Sequence, residues 1–280
     1  MQGLLISLKS FIHISFPQGD VEKKSKGVFY IGEELKLITF GCSWMFGIGA
    51  NYEKGMSRKK YEDHAWTYEE VSPFAFRTLL SERLGMENVN FSKGGSSNQR
   101  QERRALEFFR QDNIEEWKDS VVLWGITSTA RDEQYMNHRG EYVNFLYGQE
   151  NNNTQKDFPF QVTDYAEWFY DNKNQVRRLS FMMSHWNMFF ESYGIKNLWF
   201  NTFNTYVYPH DISRLVKRDL LTQLTRPQIR DEHTSVWRVD GKRIREAKDR
   251  GLVNPYSLHP TKETHILLAD ILEKNLRAIF

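Results

Sequence analysis

The chain has 280 residues, 40% of them hydrophobic and 15% aromatic, so it can bury a sizeable core as one large domain or one domain with insertions. Its 38 basic and 36 acidic residues nearly balance, which argues against a dedicated nucleic-acid surface, and no apolar run approaches the length of a membrane span. A single cysteine excludes an intrachain disulfide and a cysteine-rich zinc site, and it fits a reducing compartment.

The N-terminal segment has a strand-like pattern. Apart from Ser10, apolar side chains occupy every second position from Leu4 to Phe16, as in a half-buried strand, and residues 28–31 predict a second strand. A polar turn and a lysine-rich loop lie between them. We therefore expect residues 1–34 to form a β appendage, with no signal peptide, ahead of a main domain that covers residues 35–280.

Predicted strands and helices alternate through most of the main domain. The strands cover residues 35–40, 88–92, 120–125 and 196–203. The helices cover residues 66–84, 99–110, 176–193 and 212–224, with a final helix from Pro260. Residues 51–63 are expected to be a polar loop. The alternation predicts a three-layer α/β/α domain with a parallel sheet.

Residues 134–175 are the least regular part of the main domain. They are rich in asparagine and aromatic residues, and the sequence around His138-Arg139-Gly140 predicts a hairpin turn. Long segments without periodicity are often functional insertions, so we expect a lid-like insertion here.

Residues 41–47 read Gly-Cys-Ser-Trp-Met-Phe-Gly and directly follow the first predicted strand. A turn of this composition would lift the Ser43 hydroxyl to the carboxyl edge of the sheet, where open α/β sheets keep their ligands. The turns after the next two strands carry Gly95 and Thr127. Ser43 is a candidate nucleophile if a histidine reaches it, and the alternative is a strand-to-helix turn without chemistry.

Four short blocks, in this order, resemble the motifs of the SGNH (GDSL-like) hydrolase family, of the divergent kind found in phage genomes. They are residues 41–47, residues 90–95 (NFSKGG), residues 125–127 (GIT) and the His-Pro pair at 259–260. The resemblance spans roughly residues 35–280 and rests on short motifs separated by unassigned sequence.

This resemblance implies both a fold and a reaction. It implies hydrolysis of carboxylic esters through an acyl-serine intermediate, with Ser43 as nucleophile and His259 as base. It also implies an oxyanion hole formed by Ser43, Gly95 and Thr127. The implied substrate is a small-molecule or glycan ester, and no cofactor is implied.

Three positions depart from the family's pattern. Cys42 replaces an aspartate, and we expect it to be a small buried residue rather than a rival nucleophile. Thr127 replaces an asparagine that donates to the oxyanion. The acid that precedes the base by three residues is replaced by Tyr256, so we expect Tyr256→Asp to raise activity if its carboxylate faces His259. Other candidates for the acid are Asp211, Asp231, Asp240 and Asp249.

The remaining polar residues leave alternatives open. Asn98 and Arg131 are candidates for substrate contact. The alternatives are a loop asparagine whose hydrogen bonds are satisfied within the protein and an ordinary surface arginine. His265 is a candidate for a residue that supports the catalytic groups from behind, or one that only packs beside them. The other histidines show no metal-ligand spacing, so no metal is assigned.

The departures from the family's pattern at Cys42, Thr127 and Tyr256 also fit a second class of function. A chain that kept the fold but lost catalysis would act as a binding or virion assembly module, with an oligomer or virion partner. We therefore expect a cytoplasmic or virion-associated protein that binds no nucleic acid.

Overall fold

The computed structural model describes residues 35–110, 113–146, 170–204, 206–216, 219–225 and 241–279. The predicted β appendage at residues 1–34 and the middle of the predicted insertion lie outside the described residues. Within the described part, none of the helices combines the length and apolar composition that a membrane crossing requires.

Seven strands are present in the described part of the chain. They are β1 (Lys36–Phe40), β2 (Glu87–Asn90), β3 (Val121–Ile126), β4 (Arg131–Met136), β5 (Glu141–Leu146), β6 (Lys196–Asn201) and β7 (Leu215–Val216). Five of them form one sheet in the order β2-β1-β3-β6-β7, and every pairing in it is parallel. Every residue of β3 is buried, as expected for a strand covered on both faces.

The described helices surround this sheet. They are α1 (Ser43–Phe46), α2 (Arg58–His64), α3 (Tyr68–Val71), α4 (Phe76–Leu84), α5 (Asn98–Phe108), α6 (Asn172–Ser192), α7 (Leu220–Thr225), α8 (Gly241–Asp249) and α9 (Lys262–Arg277). Two 3₁₀ turns, Ser72–Phe74 and Ile114–Trp117, complete the set.

Two hydrophobic clusters cover the two faces of the sheet. Leu37 of β1 packs with residues of α4, α7, α8 and α9 in one cluster, whereas Ile38 and Phe40 pack with residues of α5 and α6 in the other. This alternation follows from the two-residue period of a strand. The predicted three-layer α/β/α architecture with a parallel sheet is confirmed.

The predicted helix over residues 66–84 is wrong as a single element. It is divided into α3, the 3₁₀ turn Ser72–Phe74 and α4. Pro73 lies at the break, because a proline ring has no backbone N–H and clashes with the preceding turn. Gly85 ends α4, as the sequence predicts.

Three further expectations need correction. The predicted loop at residues 51–63 contains most of α2, which Ser57 caps by accepting a hydrogen bond from the Lys60 amide at 3.3 Å. The predicted helix at residues 212–224 is wrong at its start, since β7 lies there. The last helix begins after Thr261, whose hydroxyl caps it, rather than at Pro260.

The predicted hairpin in the insertion is confirmed. Strands β4 and β5 pair antiparallel, with Met136 opposite Glu141 at the turn, in a two-stranded sheet separate from the main one. This hairpin packs against α5 through a bidentate ion pair, in which Arg103 Nε and Nη2 donate to the Glu133 carboxylate at 2.8 and 2.9 Å.

Candidate active site

The turn after β1 holds Ser43 at the start of α1. The amides of Gly47 and Ile48 both donate to the Ser43 carbonyl, at 3.1 and 3.0 Å, which closes the turn tightly. Gly47 has a φ of +104°, and a methyl group there would lie 2.7 Å from Ala75 Cβ. Only glycine combines that backbone angle with that close approach. Ser43 itself is 4% exposed.

The turns that carry Gly95 and Thr127 flank the Ser43 turn. Strand β1 pairs with β2 on one side and β3 on the other, so their carboxyl ends share one edge of the sheet. The Lys93 amide donates to the Gly41 carbonyl at 3.2 Å and ties the second turn to the first. The structure thus brings together the three turns that the sequence singled out.

Asn98 holds the third turn in place. Its Oδ1 accepts from the Thr127 amide at 3.0 Å, and its Nδ2 donates to the Thr127 carbonyl at 3.2 Å. Asn98 is buried and its amide is committed to this backbone. Arg131 Nη1 donates to Thr127 Oγ1 at 3.2 Å, and its guanidinium lies over the Phe203 ring. Arg131 is therefore a partner of the site rather than a free surface arginine.

The loop that carries His259 packs against the same edge. A methyl group on Gly49 would lie 3.0 Å from His259 Cβ and 2.4 Å from the Pro260 carbonyl oxygen. The Trp66 ring meets the His259 ring edge-on, with centroids 6.3 Å apart. The described residues include no hydrogen bond between Ser43 and His259. Catalytic hydrogen bonds commonly tighten only in the substrate complex, so their roles stay a prediction.

Ser257 contacts the imidazole of His259. His259 Nδ1 lies 3.0 Å from Ser257 Oγ. The same Oγ lies 2.5 Å from the Tyr61 hydroxyl and donates to Asn254 Oδ1 at 3.1 Å. Asn254 is fully buried, and its Nδ2 donates to the Tyr61 hydroxyl at 3.2 Å and to the His259 carbonyl at 3.0 Å.

These contacts favour one arrangement of protons in the cluster. Asn254 Nδ2 has only protons to give, so the Tyr61 oxygen accepts from it and the Tyr61 O–H points to Ser257. In this arrangement Ser257 donates to Asn254 Oδ1 and accepts from Tyr61 and His259. His259 then carries its proton on Nδ1, which leaves the lone pair on Nε2.

The electrostatics keep His259 uncharged near neutrality. Burial, together with the positive charge of Arg131, lowers the pKa of His259 to about 4, while a hydrogen bond to the Ser257 backbone acts in the opposite direction. A neutral imidazole with a bare Nε2 is the form that a general base requires.

Tyr256 does not face the base. Its hydroxyl donates to the Met56 carbonyl at 2.9 Å, and its ring packs against Tyr52 and Tyr61. Asp211 and Asp249 are exposed, and no described carboxylate contacts His259. Asp231 and Asp240 lie outside the described residues.

Sequence reasoning missed the residues that orient His259: Asn254, Ser257 and Tyr61. One signal was readable in the Asn-Pro-Tyr-Ser stretch. The amides of Tyr256 and Ser257 both donate to Asn254 Oδ1, at 3.1 and 2.8 Å, which is an asparagine turn. The sequence around Tyr61 contains no local pattern that indicates its contact with Ser257.

Two other candidate residues are core groups. His265 is fully buried, accepts a hydrogen bond from the Phe76 amide on Nδ1 at 3.2 Å and stacks on the Phe76 ring. Burial and the charge of Arg77 lower its pKa to about 3, with His259 adding to the effect. Cys42 is 1% exposed and packs in the first hydrophobic cluster. Within the described chain, no three His, Cys, Asp or Glu side chains gather closely enough to hold a metal ion.

No protein-family model matches the chain, and a comparison with curated proteins finds no match. Among solved structures, a carbohydrate esterase is 14% identical at a TM-score of 0.39, over 88% of this chain and 70% of its own. An acetyl xylan esterase from the rumen bacterium Butyrivibrio proteoclasticus is 13% identical at a TM-score of 0.42, over 91% of this chain and 65% of its own. A psychrotrophic esterase from a Pseudoalteromonas species is 11% identical at a TM-score of 0.40, over 88% of this chain and 98% of its own. Because one fold hosts many unrelated activities, the function of this chain rests on its own side chains.

Proposed function

We propose that the chain is a serine hydrolase that cleaves carboxylic esters of small molecules or carbohydrates, with Ser43 as nucleophile and His259 as general base. The observation that carries this proposal is the 3.0 Å contact between His259 Nδ1 and Ser257 Oγ. Ser257 occupies Nδ1 and leaves Nε2 bare, on a loop that packs against the Ser43 turn.

The proposed reaction uses these groups in two halves. Nε2 of His259 takes the Ser43 hydroxyl proton as Oγ attacks the ester carbonyl carbon. The tetrahedral intermediate collapses, the C–O bond of the ester breaks, and the leaving alkoxide takes the proton from Nε2. Water then repeats the sequence on the acyl-serine, releasing the acid and restoring the Ser43 hydroxyl.

Three donors are available for the oxyanion. The amides of Ser43 and Gly95 donate to no other group within the described residues. The Thr127 oxygen accepts from Arg131, so its own proton remains to be donated. Each well-placed donor contributes on the order of 100- to 1000-fold in rate.

Within the described residues, no carboxylate contacts His259, and this lowers the rate to be expected of the site. A serine protease whose acid is disabled loses about 10⁴-fold in turnover, because its histidine takes the wrong tautomer and its imidazolium loses a stabilising charge. Here a hydroxyl and an amide supply the tautomer but no negative charge, and Arg131 opposes imidazolium formation. We therefore expect a slow esterase.

The test is hydrolysis of 4-nitrophenyl acetate and butyrate by the whole chain. Wild type should release nitrophenol and react with a fluorophosphonate probe, whereas Ser43→Ala and His259→Gln should do neither. Cys42→Ala is the matched control, because its thiol is buried in the core, and it should keep labelling. Equal labelling of wild type and Ser43→Ala would remove Ser43 from the mechanism.

A binding or assembly module is the second candidate. The absence of a Ser43–His259 hydrogen bond and of a carboxylate at His259, both within the described residues, favours it. Such a protein would turn over no ester and resist the fluorophosphonate while unfolding cooperatively on heating. That combination would replace the hydrolase proposal with the binding one.

A further inference from the structure

A cavity of about 490 Å³ opens beside the Ser43 turn. It is within the size range of pockets that hold small molecules. Three aromatic residues, Phe46, Trp66 and Phe91, line it together with three cationic ones, Lys93, Arg100 and Arg104. None of its lining residues is acidic.

This cavity is next to the proposed catalytic groups. Phe46 ends α1, the helix that Ser43 begins, and the Trp66 ring meets the His259 ring. Ile48, which also lines the cavity, lies between the Ser43 turn and the Gly95 loop, because a methyl group on Gly94 would be 3.1 Å from Ile48 Cδ1. A molecule in the cavity would therefore lie against the nucleophile's turn.

Arg100 differs from its neighbours on α5 in making no direct ion pair with a carboxylate of the described residues. Arg103 binds Glu133, and Arg104 binds Glu107 at 2.6 Å. Arg100 makes only long hydrogen bonds, to the Phe91 carbonyl at 3.4 Å and Ser96 Oγ at 3.5 Å, and the described residues include no ion pair to it.

Burial makes this unpaired charge costly. It lowers the pKa of Arg100 to about 10, although the charges of Glu133 and Glu107 act in the opposite direction, so the guanidinium stays charged at neutral pH in a partly desolvated place. A buried charge is stabilised when an opposite charge pairs with it. The cavity therefore favours an anion near Arg100.

Ser92 also lines this cavity. The residue is only 6% exposed, and its Oγ is buried with no hydrogen-bond partner among the described groups. Buried polar groups are nearly always hydrogen-bonded in proteins. The wall of the cavity therefore holds one unsatisfied hydroxyl, which lies 3.5 Å from where a methyl group on Gly41 would be.

We propose that this cavity binds the anionic group, a carboxylate or a phosphate, of an acidic sugar, and that the substrate class of the site is an acyl ester of such a sugar. The cations recognise the charge, since arginine matches the geometry of carboxylate and phosphate oxygens. Trp66, a residue that is 58% exposed, offers a flat apolar ring for the sugar. The substrate class rests on the proposed hydrolase function, whereas the anion site stands without it.

The test measures binding, which does not require catalysis. Titration calorimetry with wild type and with Ser43→Ala would compare glucuronate, glucose 6-phosphate and glucose at low salt. At least one acidic sugar should bind about 10-fold or more tightly than glucose, and added salt should weaken it. Glucuronate binding alone identifies a carboxylate site, and glucose 6-phosphate binding alone a phosphate site.

Variants assign the binding to the cavity. Arg100→Gln and the exposed Lys93→Gln should each weaken the acidic sugar about 10-fold or more. Arg277→Gln on α9 is the matched control, because it removes one positive charge far along the chain from the cavity, and it should bind as wild type does. Lys93→Gln keeps the test valid if Arg100→Gln fails to fold.

Equal affinity for all three sugars, no binding of any of them, or equal loss in Arg277→Gln would each overturn the anion site. Ester hydrolysis is scored separately. Tight glucuronate or phosphate binding by a chain that cleaves no ester would leave the anion site standing and remove the proposed function.

Discussion

The imidazole Nδ1 of His259 lies 3.0 Å from Ser257 Oγ, at the position where a serine-hydrolase triad would hold a carboxylate. Asn254 and Tyr61 fix the Ser257 hydroxyl in turn. A neutral, hydrogen-bonded cluster therefore does one of the two tasks of the usual acid. In the proposed mechanism it sets the tautomer of His259 but does not offset the charge that His259 would acquire as the base.

The first prediction concerns this cluster. Ser257→Ala should lower kcat by about 10- to 100-fold with little change in KM, because the Nδ1 proton loses its acceptor and the ring loses its orientation. Steady-state kinetics with a 4-nitrophenyl ester measures the effect. Tyr256→Phe is the control, since it removes only the bond to the Met56 carbonyl, and it should behave as wild type. An unchanged kcat in Ser257→Ala would contradict the assignment.

The second prediction reverses an expectation from sequence. Tyr256→Asp should not raise esterase activity, because Ser257 already occupies Nδ1 of His259 and the Tyr256 ring points to Tyr52 and Tyr61. The change should instead lower the thermal unfolding midpoint, since it removes an aromatic contact. A clear gain in kcat would show that the loop rearranges to bring the new carboxylate to His259.

The third prediction concerns pH. The base must be neutral, so kcat/KM should fall as pH drops through about 4, the pKa of His259. Arg131→Gln removes a positive charge that lowers this pKa, so the acid limb should move to higher pH. Arg131→Lys keeps the charge and is the control. An acid limb that stays in place in Arg131→Gln would exclude this electrostatic role.

The fourth prediction links His265 to stability. Its folded pKa of about 3 is below the ordinary value of 6.5, so between these values the unfolded chain binds a proton that the folded chain does not. The free energy of unfolding should therefore decrease as the pH is lowered. For this residue the decrease between pH 8 and pH 5 is on the order of 2 kcal/mol. Urea unfolding of His265→Gln should show a shallower pH dependence, whereas the exposed His185→Gln should keep the wild-type slope.

The fifth prediction uses two glycines with nearly the same backbone angle. Gly49 has a φ of +92° and Gly55 of +91°, but a methyl group on Gly49 would meet the Pro260 carbonyl at 2.4 Å, and one on Gly55 would meet nothing within 4 Å. Gly49→Ala should cost about 1–3 kcal/mol more unfolding free energy than Gly55→Ala, because only it adds a steric clash to the backbone strain. It should also lower esterase activity by displacing the His259 loop. Equal costs would show that backbone strain alone acts at Gly49.

The sequence by itself was sufficient for the parallel sheet and for the meeting of the three turns. Strand and helix periodicity is local, and the carboxyl ends of neighbouring parallel strands share an edge, so Ser43, Gly95 and Thr127 were predictable neighbours. The break at Pro73 was also readable, since proline's effect on a helix is local, although the apolar spacing around it suggested one helix.

Only the tertiary structure decided what orients His259. Tyr61 lies 196 residues before Ser257, and Asn254 binds both through a side-chain amide that leaves no periodic trace in the sequence. The effect of Arg131 was equally unpredictable, because its charge acts on His259 across the fold. Arg100 makes no ion pair among the described residues, because Glu133 and Glu107 pair with Arg103 and Arg104 instead. Hydrogen bonds and charges between distant segments depend on distances that only the packed chain defines, and those distances determine which nitrogen of the histidine is free to act.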